Sequence, residues 1–239
     1  NTFNQDSFIS SIGLTTAGTS TITANSNTFQ LSDPAASGES AFIIDISDDS
    51  TSTLQLNDND YLGTSTGRFL AFCDLDLFGN AEANLVANGN NLSFHFYSFE
   101  ISVNNTAQLT ATLSGNVSDQ NQGEPDFDID LFNTSQATIV LDNNRITDCD
   151  EDGVQVDVSD TASLKLALRN NTIEPTDAVN DDACNLDADG GANLCAEITG
   201  NTFGGDLVFD NQTSGMFDVE QFGDAMGDIL ATLNTFTNG

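Results

Sequence analysis

The chain has 239 residues with 37 acidic side chains, 4 basic ones and 1 His, which gives a formal net charge of −33. Because contacts with phosphate groups depend on Lys and Arg, this charge excludes nucleic acid and anionic membrane surfaces as partners. No apolar run approaches the roughly 20 residues of a membrane-spanning helix, so we expect no membrane insertion.

An Asn followed two residues later by an apolar side chain recurs along the whole chain, with Ser118 as the one polar exception. The average interval is about 29 residues, which lies among the repeat lengths of solenoids. The recurring residues are Asn1, Asn27, Asn59, Asn90, Asn116, Asn144, Asn171, Asn201 and Asn234. This period predicts one continuous solenoid domain over residues 1–239, with no internal boundary.

Three strands are predicted in each repeat, because apolar residues alternate at fixed distances from the Asn. Positions are counted from the repeated Asn, which is position zero. The first strand shows the alternation at positions −17, −15 and −13, as in Phe42/Ile44/Ile46 and Phe127/Ile129/Leu131. The second has apolar residues at −5 and −3, and the third begins at the Asn itself. The last repeat fits the same spacing with Phe217, Val219 and Gln221. We therefore expect all variation in repeat length after the third strand.

Residues that tolerate a left-handed backbone mark the predicted corners. The residue before the repeated Asn is Gly, Asn or Asp in six of eight repeats, as in Asp58, Gly89 and Asn143. A left-handed residue would turn the chain there, and the following Asn would begin the next strand. Stacked Asn side chains can then hydrogen-bond to one another along the solenoid axis.

These residues resemble the right-handed parallel β-helix of the pectate-lyase-like superfamily. The resemblance covers the whole chain and implies an all-β solenoid of about eight coils of about 29 residues, with an asparagine ladder at a tight turn and variable loops at another. The superfamily contains polysaccharide lyases, hydrolases, phage tailspikes, adhesins and surface filaments. The fold alone therefore does not select a function.

Acidic residues occupy one outward position of the first strand in most repeats. Like positions on stacked coils lie about 4.8 Å apart, so these residues form a column of carboxylates. Two interpretations remain open: a solvated face that discourages aggregation, or weak multivalent binding of Ca²⁺. The column comprises Asp45, Asp76, Asp130, Asp157, Asp187 and Glu220.

One loop matches the first half of an acidic calcium loop. Asp148, Asp150 and Asp152 precede Gly153 in the spacing D-x-D-x-D-G, but Ser159 stands where a complete EF-hand needs Glu. In the corresponding loop of the next coil, Asp181 and Asp182 are candidates to complete the ligand set. We therefore name Ca²⁺ as the only candidate cofactor.

No catalytic residue is predicted. The lyases of the superfamily would require a basic residue near calcium, and none of Arg68, Arg145, Lys165 and Arg169 falls on the acidic column. His95 stands among aromatic residues and is expected to be packed. We therefore predict a non-catalytic protein, with a polysaccharide-binding or polysaccharide-cleaving β-helix as the alternative.

The terminal repeats keep the coil pattern, so we expect copies of the chain to stack head to tail through uncapped coils. The high charge suits a salty environment, where ions screen self-repulsion. We thus expect an extracellular surface or filament protein of the adhesin type, with cell-surface glycans as a further possible partner. Cys149 and Cys184 fall in adjacent coils, and both a disulfide between them and free thiols remain open.

Overall fold

A computed structural model describes residues 2–5, 18–31, 40–64, 69–121, 123–176, 182–210, 229–232 and 235–236. These residues form 24 β-strands, all paired in parallel into three sheets, and they contain no helix. The described part of the chain accordingly has no helix long and apolar enough to cross a membrane.

The three sheets run along the length of the molecule, and the chain visits them in the order sheet 1, sheet 2, sheet 3 in every coil. Sheet 1 contains β4 (Phe42–Ile46), β7 (Phe69–Leu77), β10 (His95–Val103), β13 (Phe127–Leu131), β16 (Val154–Val158), β19 (Cys184–Ala188) and β22 (Leu207–Asp210). Sheet 2 contains β2 (Thr19–Asn25), β5 (Thr51–Asn57), β8 (Glu82–Asn88), β11 (Gln108–Ser114), β14 (Gln136–Asp142), β17 (Ser163–Arg169), β20 (Asn193–Thr199) and β23 (Ile229–Thr232). Sheet 3 contains β1 (Thr2–Gln5), β3 (Thr28–Leu31), β6 (Asp60–Leu62), β9 (Asn91–Ser93), β12 (Val117–Asp119), β15 (Arg145–Cys149), β18 (Thr172–Pro175), β21 (Thr202–Phe203) and β24 (Thr235–Phe236).

This architecture is the predicted parallel β-solenoid. Strands from consecutive coils pair in the register that the apolar alternation gives: Phe99 lies beside Phe127, and Ile101 beside Ile129. Six coils, from β4 to β21, have all three strands described, and a turn takes about 28 residues. The number of turns is thus slightly smaller than the predicted eight, while the fold is the same.

The register predicted for the last coil is wrong. The strand that pairs with β19 is β22, in which Leu207 lies beside Cys184 and Asp210 beside Asp187. Phe217, Val219 and Gln221, which were expected in this place, lie outside the described residues. Residues 211–228 therefore separate the sheet 1 and sheet 2 strands of the last coil, so length variation is not confined to the loop after sheet 3.

A column of aromatic rings fills part of the interior. The ring centroids of Phe42 and Phe72 are 5.4 Å apart, those of Phe72 and Phe99 are 5.6 Å apart, and those of Phe99 and Phe127 are 5.2 Å apart, all edge to face. Such contacts contribute roughly 0.5–1.5 kcal/mol each beyond the burial of apolar area. The column thus helps to hold four consecutive coils in register.

The asparagine ladder is present at the corner between sheets 2 and 3. Along it, each side-chain amide donates to the Oδ1 of the next Asn at 2.8–3.1 Å. The backbone N–H groups donate to the same oxygens, so the side chains satisfy buried backbone donors as well. Its described members are Asn27, Asn59, Asn90, Asn116, Asn144, Asn171 and Asn201, all buried, whereas Asn1 and Asn234 lie outside the described residues.

Left-handed residues turn the chain at the predicted corners and also at a corner that was not predicted. Asp58 and Asn143, which precede ladder residues, have φ angles of 55° and 56°. The additional corner lies at the end of the sheet 3 strands, where Phe94, Gln120 and Asp148 have φ angles of 54°, 62° and 55°. Phe94 has no local polar group to favour this conformation, so tertiary packing must hold it there.

Candidate cation-binding face

Seven carboxylates lie close together on the outer side of sheet 1. Strand pairing places Asp45 beside Asp76 on adjacent coils, and Asp130 beside Asp157. A second row, two residues earlier on each strand, places Glu100 between Asp74 and Asp128. We call this set the acidic face; it comprises Asp45, Asp74, Asp76, Glu100, Asp128, Asp130 and Asp157, all half-buried.

Four carboxyl groups of the acidic face have pKa values well above the usual range. The pKa is raised to about 6 for Asp74 and Asp128, and to about 7 for Glu100 and Asp130. Burial is the largest cause for each group, and the negative charges of neighbouring carboxylates add to it. Ionisation of the acidic face therefore lowers the free energy of unfolding near neutral pH.

The described basic residues lie away from this face. Arg145 begins β15 in sheet 3, while Lys165 and Arg169 belong to β17 in sheet 2. Arg169 is already paired with Glu197 at 2.6 Å. Arg68 lies outside the described residues. Within the described part of the chain, the carboxylates of the acidic face thus have no Lys or Arg on their own sheet.

Two neighbours of the acidic face were not predicted. Glu124 raises the pKa of both Glu100 and Asp128, and a side-chain hydrogen bond joins it to Tyr97. Burial and the surrounding negative charges raise the pKa of the Tyr97 hydroxyl. Glu124 precedes β13 and Tyr97 is the third residue of β10. Both lie outside the alternating positions of the repeat, so the repeat contained no signal for them.

The acidic column changes toward the last coil. Asp187 is only 9% exposed, so the column enters a less solvated environment there. The partner of Asp187 is Asp210 rather than Glu220, which lies outside the described residues. The predicted place of Glu220 next to Asp187 is therefore wrong, because Asp210 occupies that place.

Three of the described residues in the predicted calcium loop have a structural role. Asp148 supplies the left-handed corner, and Oδ1 of Asp152 accepts a hydrogen bond from the backbone N–H of Asp182 at 2.8 Å. A Cβ atom on Gly153 would lie 2.2 Å from Cγ2 of Ile173, so glycine is needed there for packing.

No group of three or more His, Cys, Asp or Glu in the described residues is arranged to hold a metal ion. Asp148, Asp150, Asp152 and Asp182 therefore do not form the expected centre by themselves. Asp181 lies outside the described residues.

The remaining candidate residues are buried or lie on other surfaces. His95 is fully buried, as expected for a packed side chain. None of the four cysteines forms a disulfide, and Cys149 and Cys184 are both buried. The side chain of Tyr61 is also buried, and its hydroxyl donates to the carbonyl of Ala71 at 2.7 Å. Shallow grooves on the outer side of sheet 2 are lined by polar side chains such as Thr53, Asn84 and Thr110.

Comparisons with protein-family models, with curated proteins and with solved structures found no match. The β-solenoid fold therefore rests on the strand pairing alone, and the pectate-lyase-like superfamily stays a resemblance.

Proposed function

We propose that this chain is a non-catalytic structural β-solenoid of an extracellular surface or filament, and that its acidic face binds Ca²⁺. The observation that supports the proposal is the stack of half-buried carboxylates with raised pKa values on β7, β10 and β13. These groups have no Lys or Arg on the described part of their sheet. A bound cation would relieve their repulsion and stabilise the ionised form.

The spacing of the coils favours calcium among the common cations. Neighbouring parallel strands lie about 4.8 Å apart, roughly twice the Ca²⁺–oxygen distance of about 2.4 Å. A calcium ion can therefore contact carboxylates from two adjacent coils at once. Mg²⁺ has shorter bonds and gives up its water ligands reluctantly, so it fits this spacing less well. One oxygen of Asp128 is buried without a hydrogen-bond partner and is suited to such a contact.

Calcium is expected to raise the melting temperature at pH 8 more than NaCl at the same ionic strength. NaCl only screens the repulsion, whereas direct ligation stabilises the folded state in proportion to the occupancy of its sites. The measurement is a series of thermal melts in CaCl₂ and NaCl, with MgCl₂ as the control for divalent charge. Equal melting curves in CaCl₂ and NaCl would refute the calcium proposal and reduce the acidic face to a solvated surface.

The other functional expectations stay predictions. Head-to-tail assembly depends on the first and last coils, most of whose residues lie outside the described ranges. Binding of cell-surface glycans has one supporting feature, the polar grooves on sheet 2. Polysaccharide cleavage remains the alternative function, and an extracellular location in salty water is proposed from the acidic composition.

A further inference from the structure

Five polar side chains are buried together where the chain passes from sheet 3 to sheet 1. Their exposed fractions are 0% for His95, Ser98, Asn121 and Asp126, and 1% for Ser118. We call these five residues the inner corner. It lies inside the solenoid, on the side of sheet 1 opposite to the acidic face, so its chemistry is separate from that of the proposed calcium surface.

The strand register brings these residues together from consecutive coils. Phe99 pairs with Phe127, so the preceding residues Ser98 and Asp126 are neighbours, and the N–H of Ser98 donates to the carbonyl of Asp126 at 2.8 Å. In the same way β9 pairs with β12, so that Asn121 occupies in one coil the position that His95 occupies in the previous coil. The inner corner thus contains two adjacent columns of inward side chains, one with Ser98 and Asp126 and the other with His95 and Asn121.

Half of the polar atoms in the inner corner have partners, and these contacts orient the side chains. Nε2 of His95 lies 3.1 Å from Oγ of Ser118 and 3.5 Å from Oγ of Ser98. The hydroxyl of Ser98 donates to Oγ of Ser118 at 3.0 Å. The side-chain amide of Asn121 donates to the carbonyl of Phe96, so its nitrogen is engaged and its oxygen is not.

The other half is buried without any hydrogen-bond partner. These atoms are both carboxylate oxygens of Asp126, Oδ1 of Asn121 and Nδ1 of His95. An unpaired carboxylate in a protein interior costs several kcal/mol, and two further unpaired polar atoms lie in the same corner. Their burial requires an explanation. None of the described Lys and Arg residues lies on the strands that form this corner.

We propose that the inner corner binds one divalent metal ion, with Asp126, Asn121 and His95 as its protein ligands. Three of the four unpaired atoms are oxygens that can only accept, and two of these oxygens belong to a carboxylate. A water molecule would offer two hydrogens and no charge, whereas a cation satisfies all the acceptors and balances the carboxylate.

The ligand set indicates which metal fits. A carboxylate and an amide oxygen with one imidazole nitrogen suit Mn²⁺ or Zn²⁺ better than Ca²⁺, which prefers oxygen ligands throughout. Metal at Nδ1 requires the tautomer with its proton on Nε2, and Oγ of Ser118 is placed to accept a hydrogen bond from that group.

The test is the metal content of the purified chain. The protein is stripped with a chelator and loaded separately with Mn²⁺ and Zn²⁺. It is then exchanged into a buffer that lacks Mn²⁺ and Zn²⁺ and contains excess CaCl₂, which occupies the acidic face. Elemental analysis then gives the bound metal per chain. We expect about one Mn²⁺ or Zn²⁺ per chain in the wild type and less than about a tenth of that in Asp126→Asn. Asp130→Asn, which removes a carboxylate of the acidic face, should bind like the wild type.

The fold of each variant is checked by circular dichroism. Asp126→Asn has nearly the same shape and removes an unpaired charge, so its metal-free melting temperature should equal or exceed that of the wild type. If it does not fold, His95→Gln is the second variant, and its metal affinity should be at least tenfold weaker. A wild type that retains neither metal, or a folded variant that retains as much as the wild type, would overturn the proposal. Because Ca²⁺ is present throughout, either result leaves the proposed function of the acidic face untouched.

Discussion

Replacing Asn144 with Ala is expected to lower the free energy of unfolding by about 3–5 kcal/mol. Oδ1 of Asn144 accepts hydrogen bonds from the backbone N–H and the side-chain amide of Asn116, both at 3.0 Å. Its amide donates to the carbonyl of Leu113 at 2.9 Å and to Oδ1 of Asn171 at 3.0 Å. The substitution leaves the buried backbone N–H of Asn116 without a partner and opens a cavity inside the corner.

The measurement is urea unfolding of the wild type and the variant, monitored by circular dichroism. Asn91→Ala is the matched control, because Asn91 is an exposed neighbour of the ladder whose side chain donates to Asp60 at 3.3 Å. It should change the stability by less than about 0.5 kcal/mol. Asn144→Asp should also destabilise the fold, since a carboxylate has no N–H to donate to Leu113. Equal effects of Asn144→Ala and Asn91→Ala would show that the ladder hydrogen bonds add no more to the free energy of unfolding than an exposed side chain does.

Removing one charge from the acidic face should stabilise the protein. We expect Asp130→Asn to raise the free energy of unfolding by about 1–2 kcal/mol at pH 8 in low salt, after allowance for solvent screening. The reason is that the folded pKa of Asp130 is raised to about 7 by burial and by Asp128 and Asp157. Asn keeps the shape of the side chain and has no charge to desolvate.

The raised pKa values of the acidic face also make the free energy of unfolding depend on pH. The raised pKa values mean that the folded state binds more protons than the unfolded state between about pH 4 and pH 7. The free energy of unfolding therefore falls as the pH rises through this range, and the full penalty is present above about pH 7. Asp130→Asn should accordingly have a smaller effect at pH 5 than at pH 8. Asp48→Asn, an exposed left-handed corner residue, is the control for net charge. An equal gain in both variants would assign the effect to net charge alone.

The sequence was sufficient for the solenoid because each coil imposes the same environment on the same position. A residue such as Ile129 faces the core and lies beside Ile101 on one coil and Val156 on the next. The alternation therefore predicts both the buried face and the pairing. The alternation does not identify the partner strand when two segments alternate equally well. For this reason residues 217–221 were predicted in the place that β22 occupies beside β19.

The inner corner was missed because it breaks the period of two. Asp126 and Phe127 are consecutive, yet both are buried. The one available signal was Ser118, the polar residue at a position that is otherwise apolar, and its hydroxyl does contact His95. The like charges of the predicted acidic column contribute to the raised pKa values of the acidic face. The largest cause of the raised values is burial, which an outward position in a strand does not reveal.

The most direct test of the acidic face is a carbon-13 NMR titration of the side-chain carboxyl groups in low salt. Labelled Asp and Glu would report each group between pH 3 and pH 9, with Asp130→Asn to assign one resonance. The raised values predict that several carboxyl groups, among them Glu100 and Asp130, titrate near pH 6–7, and that Ca²⁺ moves these midpoints downward because it binds the ionised form. Midpoints that all lie below about pH 5, with no change on adding Ca²⁺, would contradict a strained, cation-binding acidic face.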